Sequence, residues 1–179
     1  MAIHKPLTAL ASILLLLTSL ACAELGSFRF SEESDVIEVQ PSPVGGTPLG
    51  SLDGLNIPMD VDLEQELEEQ SASGARSVRL RRMSFEMEAD SEEEHFDFMD
   101  EITIEVSSSR SDSDLPTRDL AWKDPVPEEQ SSYQLDVDDD LDLKPYIEEG
   151  IRFRTRASGS NPDNTARFRV HSNFAVDII

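Results

Sequence analysis

Residues 166–178 read ARFRVHSNFAVDI. Ala166, Phe168, Val170, Ser172, Phe174, Val176 and Ile178 fall on one side of an extended chain, and Arg167, Arg169 and His171 fall on the other. A period of two over so long a run marks a strand with one buried face, because successive side chains leave the pleat in opposite directions. Just upstream, Ile151, Phe153, Thr155 and Ala157 repeat the pattern. The segment between the two runs, Gly159-Ser160-Asn161-Pro162-Asp163-Asn164, is turn chemistry, so the runs are expected to pair as a hairpin.

The same period recurs toward the N-terminus. Ile102, Ile104 and Val106 alternate behind an apolar plug, Phe96-Asp97-Phe98-Met99. Leu55, Ile57, Met59, Val61 and Leu63 predict a further strand, and shorter ones are expected at Ser27–Phe30, Ile37–Val39, Asp119–Lys123 and Tyr133–Val137. Across Ser77–Met87 the phase slips: Val78 and Leu80 are even, whereas Met83, Phe85 and Met87 are odd. One extra residue near Arg81 or Arg82, a β-bulge, would point both sets at a single core. Residues 41–54 are dense in Pro and Gly and read as a long loop. Glu64–Ser71 suits a short helical turn or polar connection, and Asp140–Glu148 suits a short helix whose length Pro145 limits. The sum is an all-β chain of seven to nine strands, a single antiparallel β-sandwich, immunoglobulin-like or similar, over residues 24–179.

Residues 1–23 have export grammar: Lys5, an apolar stretch from Leu7 to Leu20, and the small-residue end Ala21-Cys22-Ala23. Two processing outcomes stay open. Cleavage before Glu24 gives a soluble product. Ser19-Leu20-Ala21-Cys22 instead resembles the bacterial lipobox, with Ser19 where that pattern prefers Leu; residues 1–21 would then be removed and Cys22 lipidated, anchoring the domain to a membrane it does not span. Cys22 is the single cysteine, so no disulfide forms within the chain.

After the leader the chain holds 14 basic against 37 acidic residues, a net charge of −23. A field of that sign repels phosphate, and nucleic acid is not expected as a partner. Asp136, Asp138, Asp139, Asp140 and Asp142 crowd into seven residues, and Asp60 and Asp62 sit on the outward side of the strand expected at 55–63. Calcium is the cofactor such acids would take, with Asp136, Asp138 and Asp140 as candidate ligands. It needs six to eight convergent oxygens, however, and a linear run in which neighbours face opposite ways does not supply them.

Arg152, Arg154 and Arg156 point outward, as do Arg167 and Arg169, so a hairpin would gather five arginines. They read as a binding patch, or as partners for the outward carboxylates Glu101 and Glu105 or Glu86 and Glu88 on neighbouring strands. No catalytic motif occurs: His95 and His171 lack a nearby cysteine, and no Gly-x-Ser-x-Gly, His-Glu-x-x-His or phosphate-cradling loop is present. Arg79-Leu80-Arg81-Arg82 resembles a dibasic processing site, which burial of Leu80 would shield. Ser91-Glu92-Glu93-Glu94 resembles an acidic kinase site, a likeness without meaning in a bacterial envelope.

Phe96–Val106, Leu115-Pro116, Leu143-Lys144-Pro145-Tyr146-Ile147 and the last strand, within residues 77–179, together resemble a group of uncharacterised bacterial lipoproteins or secreted β-sandwich proteins. The resemblance implies an extracytoplasmic, often lipid-anchored single domain. The expectation is a non-catalytic envelope protein, periplasmic or outer-membrane-tethered, acting through protein or surface contacts; a calcium- or carbohydrate-binding sandwich is the alternative.

Overall fold

The computed structural model describes residues 26–41, 57, 61–71 and 73–179. The leader expected at residues 1–23, with Cys22, all but Pro41 of the loop expected at 41–54, Asp60, and most of the strand expected at 55–63 lie outside the described residues.

Among the described residues two antiparallel sheets pack face to face. One has the order β1 (Ser27–Glu33), β9 (Ala166–Ile178), β3 (Ala75–Met87), β6 (Ser132–Gln134), with β2 (Ile37–Val39) also pairing β9. The other has the order β7 (Asp136–Val137), β5 (Arg118–Lys123), β4 (Met99–Ser108), β8 (Ile151–Gly159). The alternation of β9 is realised in full: Ala166, Phe168, Val170, Ser172, Phe174 and Val176 are buried between the sheets. From the opposite sheet Ile102, Ile104, Val106, Leu120 and Phe153 close the core. One end is sealed by aromatic rings, Phe96 meeting Tyr133 edge-on at 4.9 Å and Phe168 at 5.5 Å, an arrangement that places ring edges on ring faces.

The phase slip in β3 is a bulge. Its register against β9 shifts between Leu80 and Arg82, which sends Leu80 and Met83 alike into the core, both fully buried. β1 and β2 form one broken edge strand. At the break Ser34 stands in for the ladder: its N–H donates to the Val170 carbonyl at 2.9 Å, and its hydroxyl accepts from the Val170 N–H at 3.0 Å.

Three expectations are corrected. β8 and β9 do not form a hairpin: β8 pairs β4 and β9 pairs β3 and β1, so residues 160–165 carry the chain from one sheet to the other. The single strand expected at Tyr133–Val137 divides at buried Leu135 into β6 and β7, which belong to different sheets. Of the strand expected at 55–63, the described Ile57 and Val61 are buried, but Leu63 opens the helix α1 (Leu63–Glu69). Asp62 is therefore that helix's N-cap, its carboxylate accepting from the Gln65 N–H at 2.9 Å. The short helix expected within Asp140–Glu148 is α2 (Lys144–Glu148), with Pro145 in its first turn. Gly150 follows α2 at φ 83°, where a side chain would meet Ser109 Oγ.

Candidate functional site

Splitting β8 from β9 also splits the five arginines between the two outward faces. On the five-stranded sheet Arg167, Arg169 and His171 are paired across strands. Arg169 bonds Glu33 of β1 and Glu88 just beyond β3, and both carboxylates hold its guanidinium above the usual range. Arg167 bonds Asp90, with Glu38 of β2 at 3.7 Å. His171 lies between carboxylates, Nδ1 at 3.3 Å from Glu33 and Nε2 at 3.3 Å from Glu86. At the far end Asp177 accepts from the Ser77 hydroxyl and from Arg79, each at 2.8 Å, and these bonds hold its carboxyl below the usual range. Cross-strand pairing accounts for Arg167 and Arg169.

On the four-stranded sheet Arg156 is paired likewise, Nε to Glu105 at 3.0 Å and Nη2 to Asp119 at 2.7 Å. Arg152 and Arg154 have no carboxylate within ion-pair distance among the described residues. Between Asp119 and this sheet's other edge lies a residue that the alternation did not single out. Strict period two from buried Leu120 would turn Trp122 inward and Ala121 outward. The register of β5 against β4 instead shifts between Ile104 and Glu105, leaving Leu120 as the extra residue. Leu120 and Ala121 are both buried, and Trp122 is rotated to the outside, 39% exposed. It stands in a row with Asp136 of β7 on one side and Thr103 of β4, then Arg156 of β8, on the other. Apart from the terminal Ile179, it is the exposed large hydrophobic residue among those described. In the sequence the one trace of this is the adjacent apolar pair Leu120-Ala121 ahead of a tryptophan, which by itself does not fix the phase.

Four of the five aspartates of the acidic run, all but Asp140, have side-chain partners in the fold. Asp136 faces Lys123 at 3.5 Å, Asp138 lies 4.0 Å from Arg118, and Asp139 bonds Arg81 at 3.3 Å. Asp138 also accepts from the Asp140 N–H, and Asp142 accepts from the N–H groups of Val78 and Lys144. Among the described residues no group of three or more His, Cys, Asp or Glu side chains converges as a metal ion would need. His95 lines a cleft of about 470 Å³ with Glu92, Glu93, Glu94, Asp97 and Asp163, its Nδ1 4.0 Å from Asp97. Ser91 is tied into the sheet by accepting from the Arg167 N–H at 3.0 Å. The dibasic segment lies within β3 and pairs with β9, with Leu80 and Met83 fully buried.

Among the described residues no helix is long and apolar enough to cross a membrane. Compared with models of known families the sequence matches none, and a comparison with curated proteins gives no significant match.

Proposed function

We propose that the mature chain is a non-catalytic exported envelope domain that works by contact, and that its contact surface is the outer face of the four-stranded sheet around Trp122. The observation that carries this reading is the β5 bulge. Without it the indole would enter the core; with it the largest apolar side chain of the strand is turned into water. Bulges recur where a side chain must be re-aimed, and exposing an aromatic body costs the burial free energy that a core position would have gained. The export grammar of residues 1–23 and the resemblance to secreted or lipid-anchored sandwiches support the compartment. Cys22 decides whether the domain is tethered or free, and the intact mass of the mature protein distinguishes an acylated Cys22 from an N-terminal Glu24.

The test is co-sedimentation of the soluble domain, residues 24–179, with washed bacterial envelopes. The wild-type domain is expected in the pellet and Trp122→Ala in the supernatant, with matching circular dichroism and melting curves. Equal sedimentation of the two would remove the Trp122 face from the reading.

A further inference from the structure

We infer that the Trp122 face takes a neutral saccharide, a pyranose ring lying on the indole with its hydroxyls on the polar groups of the same row; this rests on the contact surface proposed above.

Charge comes first. The charged residues of the four strands of this sheet balance, Arg118, Lys123, Arg152, Arg154 and Arg156 against Asp100, Glu101, Glu105, Asp119 and Asp136, on a chain whose net charge is −22. A local field near zero neither recruits nor rejects an ion, which favours an uncharged ligand.

Hydrogen bonding comes second. The guanidinium of Arg156 is fixed by Glu105 and Asp119 through Nε and Nη2, so N–H groups on the same fork are left to donate while the two carboxylates keep lone pairs to accept. Thr103 and Asp136, directly across the ladder from Trp122, add a hydroxyl and a carboxylate. A rim offering donors and acceptors alternately matches hydroxyl groups, each of which is both. The electron-rich indole face suits the slightly positive C–H edges of a sugar ring.

Alternative occupants fit less well. A protein partner of ordinary affinity buries about 800 Å² per side around several apolar anchors, and here one indole stands among polar side chains. An anionic lipid surface meets a strongly acidic domain.

Trp122 is the single tryptophan, so its fluorescence reports on the site alone. The domain is titrated with chitohexaose, cellohexaose, laminarihexaose and maltohexaose up to about 10 mM, which half-saturates complexes tenfold weaker than millimolar. The expected result is a saturable blue shift and protection from acrylamide with at least one of them. By calorimetry, Trp122→Ala should bind that sugar on the order of tenfold more weakly and Trp122→Tyr should retain most of the affinity. No saturable change with any of the four, or equal binding by Trp122→Ala, overturns the saccharide. If envelope sedimentation still depends on Trp122 in that case, the ligand class falls and the contact surface stands; if sedimentation is indifferent to Trp122, the contact surface itself falls.

Discussion

The two outward faces of this sandwich are built from the same residue types, and they differ in what is left over. On the five-stranded sheet Arg167, Arg169, His171 and Asp177 each meet an acid, a base or a hydroxyl on a neighbouring strand. On the four-stranded sheet one arginine is doubly paired, two are not paired among the described residues, and an indole stands open beside them. Alternation delivers polar side chains to both faces equally; strand neighbours and one bulge decide which face is consumed by the fold and which is free to meet a ligand.

The strongest challenge to that contrast is to ask whether the faces belong to one cooperative unit. Phe168 lies on the inner side of β9 and packs against Phe85 and Phe96. Phe168→Ala should cost about 3–5 kcal/mol in urea unfolding, through lost burial and the cavity left behind. Far-ultraviolet dichroism, which follows both sheets, and Trp122 fluorescence, which follows the four-stranded one, should still give the same midpoint. Separate midpoints would make the sheets independent. A smaller loss is expected from Gly150→Ala, at the turn that launches β8 and its arginines: φ of 83° and the approach to Ser109 together should cost about 1–3 kcal/mol.

Much of this architecture was legible, for a definite reason. Period two is a property of a single strand, so the inward faces of β4, β8 and β9 and even the bulge between Leu80 and Arg82 could be read directly. Partnership is a property of two strands and leaves no such trace. Gly159–Asn164 carries turn residues that serve a passage between sheets as well as they serve a hairpin, which is why β8 and β9 were expected side by side. Leu135 reads as an ordinary strand residue, yet the chain changes sheets there. The candidate site was nearly invisible, because in the short β5 the doublet Leu120-Ala121 is too brief to reveal a phase change without its partner strand.

Acid sharpens the contrast from the other face. The carboxyl of Asp177 is lowered first by the Ser77 hydroxyl and then by Arg79, so its contribution is present above the ordinary carboxylate range and is lost as pH falls through the folded-state value. Melting temperatures should therefore drop below about pH 4, and Asp177→Asn should flatten that limb while lowering stability at neutral pH. The smallest effect is expected from Trp122→Ala, which should shift stability by no more than about 0.5 kcal/mol in urea unfolding followed by dichroism. A larger loss would mean that the indole supports the sheet and was not placed for a ligand.

The interruption at Ser34 reaches beyond the single molecule. A long, straight outer strand offers a row of unused amides onto which another chain can add, the first step toward fibrils. Here the hydroxyl of Ser34 bends that margin into two short pieces, one of seven residues and one of three, set with Arg29, Glu32, Glu33 and Glu38. The chain thus carries, in one side chain, a safeguard against stacking onto its own copies.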